Sequence, residues 1–184
     1  MTILRSLSLL VACSLLQGCL TVVKNLPTTT SLAPLQQNIV GATYRMTRYG
    51  SQEFPNGPSL VVQALAGPGG YSAVLTENGE SNTYEFLTAG VDEDPLLLVR
   101  IGDASHAVFK LQISENGQRL EVLGLDTDVV RQDAHQGVVA GTVRGGGNMP
   151  DVCFLSPTPA ELDSYLASRS SSFTYSMFVF ERIP

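Results

Sequence analysis

Few residues in this chain could do covalent chemistry. Cys153 is the one cysteine beyond residue 19, and a thiolate nucleophile there needs a base. The chain holds two histidines, His106 and His135, and Asp151 could orient either of them. Cys153 lies between Val152 and Phe154, however, and a free cysteine in an apolar run behaves as a small hydrophobe. It is expected to be a buried structural thiol. The two histidines with a carboxylate would suit a metal. They lie 29 residues apart without H-E-x-x-H spacing, and both are expected in solvent, His106 on the polar face of a strand.

The acids form two groups, Asp92-Glu93-Asp94 and Asp126, Asp128, Asp133. Asp126-Thr127-Asp128 begins like a calcium loop but lacks the glycine and terminal glutamate that complete one. Solvated acidic turns are expected. The run Arg144-Gly145-Gly146-Gly147-Asn148 has the glycines of a phosphate loop without the Gly-Lys-Ser/Thr opening a helix, and Met149-Pro150 follows it. It is expected as a surface loop that gates a cavity or touches a partner. No Gly-x-Ser-x-Gly elbow is present. These patterns point to a protein that is not an enzyme and has neither cofactor nor metal.

Composition narrows the partners. Of 184 residues, 43% are apolar and 15% charged, and the formal net charge is −6. An acidic domain is repelled by phosphate backbones and by anionic membrane surfaces, so nucleic acid is excluded as a partner.

The N-terminus is organised differently from the rest. Arg5 is followed by an apolar run from Leu7 to Leu16, too short to span a bilayer, as in a signal peptide. It ends in Leu16-Gln17-Gly18-Cys19, which resembles the lipobox of bacterial lipoproteins. The resemblance implies removal of residues 1–18, lipid on Cys19, and attachment to the cell envelope. Leu20 stands where an Asp would resemble an inner-membrane retention signal, which implies the outer membrane, facing the periplasm. Cys13 would leave with the leader, so Cys153 would have no disulfide partner. Loss of Arg5 would take the charge from −6 to −7. Residues 19–38, punctuated by Pro27, Pro34 and a Thr run, read as a tether reaching about 25 Å.

From residue 39 the apolar residues recur with period two. Strands are expected over 39–49, 60–66, 71–76, 82–88, 96–101, 105–114, 118–125, 137–143, 151–155 and 173–182. Asn78-Gly79 and Asn116-Gly117 mark hairpins, because both positions of a type I′ turn need positive φ. Residues 96–101 and 173–182 are apolar on both faces and so require cover on both. One helix is expected, opened by Thr158, Pro159 and Glu161 as a capping box with a proline in the first turn. Its apolar face is Leu162, Tyr165 and Leu166.

The expected fold is mostly β, in one domain over residues 39–184. It is a small antiparallel barrel or strongly curved sheet of eight to ten strands, with one helix before the last strand. The pattern is loosely lipocalin-like, without a lipocalin signature. Tyr44, Tyr49, Tyr71, Tyr84, Phe86, Phe109 and Phe178 either line a cavity or fill the barrel.

Three functions follow as expectations. The first is a lipid-anchored envelope protein that binds a macromolecular partner, such as an envelope component or a basic cell-wall enzyme or toxin that it inhibits or confers immunity against. The acidic charge would steer a basic partner. The second is a carrier of a small apolar ligand, which requires a hollow barrel. The third is an enzyme using Cys153.

Overall fold

The computed structural model describes residues 20–28, 32–66, 69–90, 94–146 and 149–184. Leader residues 1–18 and Cys19 therefore lie outside the described residues, as do Asp92 and Glu93 of the first acidic group.

One twelve-stranded sheet contains every strand among the described residues, and eight of its strands close into an antiparallel barrel. These are β2 (Thr43–Tyr49), β4 (Ser59–Ala64), β5 (Gly70–Glu77), β6 (Glu80–Gly90), β7 (Pro95–Gly102), β8 (Ser105–Ser114), β9 (Arg119–Leu125) and β12 (Phe173–Arg182). From β4 to β9 each strand pairs with the next in sequence, and β12 closes the ring between β9 and β2. The short β3 (Gln52–Glu53) pairs only with β2. The two Asn-Gly turns take the backbone they predict: φ is 52° and 84° at Asn78 and Gly79, and 56° and 82° at Asn116 and Gly117.

The wall is not uniform. The edge of β8 opposite β7 is shared between two strands. Phe109 to Ser114 pair with β9, whereas His106 and Ala107 pair with β1 (Leu20–Val23). On its other side β1 runs parallel to β11 (Met149–Leu155), which pairs with β10 (Gly141–Gly146). A three-stranded wing thus leaves the barrel where β8 parts from β9. Two helices belong to this side, α1 (Thr127–His135) and α2 (Pro159–Ser168).

Three expectations are corrected. First, the described residues of the segment read as a tether, 20–28 and 32–38, belong to the domain. Thr21, Val22 and Val23 are at most 2% exposed. Asn25 donates to the Pro157 carbonyl at 2.5 Å, and Thr28 donates to Asp163 at 2.7 Å. Four residues are too few to reveal a period, and their partners lie more than 80 positions away. Second, Arg144, Gly145 and Gly146 belong to β10 rather than to a loop; Gly147 and Asn148 lie outside the described residues. Glycine is needed in this arm: a Cβ on Gly141 would stand 2.8 Å from the Phe154 carbonyl oxygen. Third, there is a second helix, α1, in a stretch that reads as irregular. The barrel has eight antiparallel strands and a helix before the last one, as expected; among the described residues the wing and β3 bring the sheet to twelve strands.

The double-faced apolar strands resolve into two cores. On β7, Leu97 and Val99 face the barrel interior, while Leu96 and Leu98 face the wing and helices. The second core joins Val23, Val108, Cys153 and Leu155 to Val130 of α1 and to Leu162, Tyr165 and Leu166 of α2. The capping box at Thr158 forms in both directions, as its sequence predicts, and fixes the start of α2. The cover that β12 needs begins with this helix, since Phe173 packs in the same core.

Candidate functional site

The barrel interior is hollow. A cavity of about 460 Å³ runs inside it, within the range of small-molecule sites. Inward-facing residues alternate along each strand to make its wall: Ala73 and Leu75 on β5, Tyr84 and Phe86 on β6, Leu97 and Val99 on β7, Phe109 and Leu111 on β8. Met177, Phe178 and Phe180 of β12 and Leu20 of β1 also contribute to it.

One end of the barrel has a floor. Residues 32–42 cross it and are pinned around the rim. Leu32 bridges to Ala89, and the Ala33 amide donates to the Thr88 carbonyl at 3.1 Å. Thr88 Oγ1 in turn donates to the Ala33 carbonyl. The Leu35 amide donates to Tyr71 Oη at 2.8 Å, and the Gly41 amide donates to the Val62 carbonyl at 2.8 Å. Asn38 Nδ2 donates to the Asn116 carbonyl at 2.7 Å. Leu35 and Ile39 are thereby pressed onto the interior, 6% and 0% exposed.

The other end is the mouth. Lining residues near it are only half-buried, among them Leu75, Tyr84, Val122 and Phe178, and Ile101 is 47% exposed. The β5–β6 and β7–β8 turns at this end carry Glu77, Glu80 and Asp103.

The aromatic residues divide between two roles. Tyr84, Phe86, Phe109 and Phe178 line the cavity. Tyr71 holds the floor as described, and Tyr44 donates to the Gly117 carbonyl at 2.9 Å. Tyr49 lies against the Phe178 ring with centroids 5.2 Å apart.

The polar candidates are dispersed. Cys153 is fully buried in the second core, opposite Thr21 on β1 and Val143 on β10. His135 is exposed in the last turn of α1, as expected. His106 departs from expectation: it is half-buried, and its Nδ1 is enclosed without a hydrogen-bond partner. Burial, with the Arg100 charge adding to it, lowers its pKa. The face of β8 read as polar is the one the wing covers, which sequence alternation alone does not reveal. Asp151 lies in β11.

The second acidic group is helical rather than a calcium loop. Asp126 caps α1, accepting from the Asp128 and Val129 amides. Asp128 pairs with Arg131 at 2.6 Å. Asp133 is 5% exposed and accepts from Arg169 Nε at 2.7 Å, Arg169 Nη2 at 2.8 Å and Tyr165 Oη at 2.9 Å. The Arg169 hydrogen bonds hold its carboxyl below the ordinary value, against the effect of burial, and Tyr165 adds to them. Burial, and then this hydrogen bond to Asp133, push the Tyr165 phenol far up. Asp94 lies 3.8 Å from Lys110. Among the described residues, no three His, Cys, Asp or Glu side chains converge as a metal site. Arg144, from the glycine-rich run, is exposed and stacks its guanidinium 5.4 Å from the centre of the Phe154 ring.

The cavity is the site that sequence reasoning left open between filled and hollow. The inward residues are legible one strand at a time. Their summed volume against the barrel's circumference is not, because it depends on strand tilt and on β1 entering the wall.

The chain matches no known family model, no curated protein and no solved structure.

Proposed function

We propose that this barrel binds a small apolar ligand and does so at the cell envelope, attached through lipid on Cys19. The observation that carries the binding reading is the hollow apolar interior of about 460 Å³, floored at one end and open at the other. Burial of a ligand's hydrocarbon surface there stabilises the complex by about 25 cal/mol per Å² before the entropic cost of association. A preformed wall keeps that cost down, since the strands need no reordering.

The envelope address rests on the lipobox resemblance at Leu16-Gln17-Gly18-Cys19. Binding of a macromolecular partner rests on the lipobox resemblance, the acidic charge and the lack of a catalytic motif in the sequence, and the cavity favours the carrier reading over it. The Cys153 enzyme reading has against it the complete burial of the thiol in an apolar core.

Titration of the purified full chain with an uncharged apolar fluorophore tests the binding reading. Saturable binding at one site is expected, and Ala73→Phe, which fills the lumen opposite Tyr84, should weaken it at least about tenfold, equivalent to about 1.4 kcal/mol. Equal binding by the Ala73→Phe protein, or none by the parent, would overturn it. Mass spectrometry of the cell-made protein tests the anchor separately: an unmodified Cys19, or a product that begins elsewhere, would remove it.

A further inference from the structure

The lumen also specifies the charge of what it holds. We infer that the ligand is an uncharged single-chain lipid whose one polar group is hydrogen-bonded by the Tyr84 hydroxyl. This rests on the cavity reading above and goes further by naming the ligand class.

Among the described residues that line the cavity, only Tyr84 and Arg100 end in a polar group. Arg100 borders the lumen toward the mouth, where its charge is already paired: Nη1 donates to Glu85 at 3.0 Å. A carboxylate, sulfate or phosphate drawn into the cavity would leave water without gaining an unpaired cation, which is strongly unfavourable. The mouth adds to this exclusion, because Glu77, Glu80 and Asp103 stand on the turns around it.

Tyr84 is placed differently. It sits on β6 opposite Ala73, in the half-buried part of the lining toward the mouth. Its hydroxyl has no hydrogen-bond partner among the described residues, in contrast to Tyr44 and Tyr71, whose hydroxyls are engaged at the floor end. Burial raises the Tyr84 pKa, so the group remains a protonated donor across physiological pH. One donor at the open end of an apolar tube matches one hydroxyl or ester oxygen at the end of a chain. The size agrees: a cavity of about 460 Å³ suits one chain rather than a two-chain lipid.

Competition against the neutral fluorophore N-phenyl-1-naphthylamine on the purified full chain tests this at pH 8. 1-Tetradecanol should displace the fluorophore at least about tenfold more tightly than tetradecanoate, an alkyl chain of the same length with a charged end. Tyr84→Phe should weaken 1-tetradecanol about three- to tenfold, measured relative to the fluorophore's own affinity for the same variant, as expected for one neutral hydrogen bond. Tetradecanoate binding as tightly as the alcohol would overturn the inference, as would an alcohol affinity indifferent to Tyr84→Phe in a folded variant. If that variant fails to fold by circular dichroism, the alcohol-to-carboxylate ratio of the parent protein decides alone. Absence of fluorophore binding to the parent would instead sink the cavity reading on which this rests.

Discussion

The two cores of this protein share a wall and differ in what fills them. Leu96 and Leu98 of β7 face a core in which Val23, Val130, Leu162 and Cys153 are all fully buried. Leu97 and Val99, on the same strand, face about 460 Å³ of open interior. Composition does not explain the difference, since both sides are built from Leu, Val and aromatic residues. Closure does. Helices and a short wing can shift until they touch, whereas eight hydrogen-bonded strands hold their circumference and leave whatever volume their side chains fail to occupy. One region is therefore suited to stability and the other to holding a guest.

That contrast can be broken by truncating each side in turn. Leu98→Ala, on the packed side, should cost about 2–5 kcal/mol of unfolding free energy by denaturant titration. A cost no larger than that of a lumen truncation would show that the two cores are equivalent. Asp133→Asn follows, because it dissolves the link that ties α1 to the end of α2. It should lower the melting midpoint by on the order of 5 °C. The pH dependence has a defined sign: the folded carboxyl titrates below its ordinary value, so its contribution is complete above the carboxylate range and fades as pH falls through the lowered value. The Asp133→Asn protein should have a shallower acid limb than the parent, and superimposable limbs would refute the link.

On the hollow side Leu75→Ala should cost only about 1–1.5 kcal/mol, because its side chain already borders space and deletion adds little new void. Ile101→Ser, at the mouth, should change stability by less than about 0.5 kcal/mol. A large loss at either position would mean that the lumen collapses around these residues.

What could be read from sequence follows the range of the forces involved. The hairpins at Asn78-Gly79 and Asn116-Gly117, the capping box at Thr158 and the two-faced apolarity of residues 96–101 depend on neighbours within a few positions, and each appears as expected. Helix α1 was hidden because its face is narrow and its buried carboxylate, Asp133, is satisfied by Arg169, 36 positions on. Without that partner an aspartate in this position reads as solvated. Strand β1 was hidden for the same reason: its pairing with β11 joins residues more than 130 positions apart. Of the cavity, the apolar inward residues and Tyr84 were legible; that they enclose space, with a floor made by residues 32–42, required the closed geometry.

Strand β1 carries one more implication. A linker would let an anchored domain roll and sweep across the space above a bilayer. Here Leu20, beside Cys19, already pairs with Val152 of β11, and Val22 and Val23 lie between β11 and β8, so an acylated N-terminus would act as a short stalk with little slack. The molecule would lie against the headgroups in a set pose, and its access to whatever lies farther away would be limited by its own dimensions.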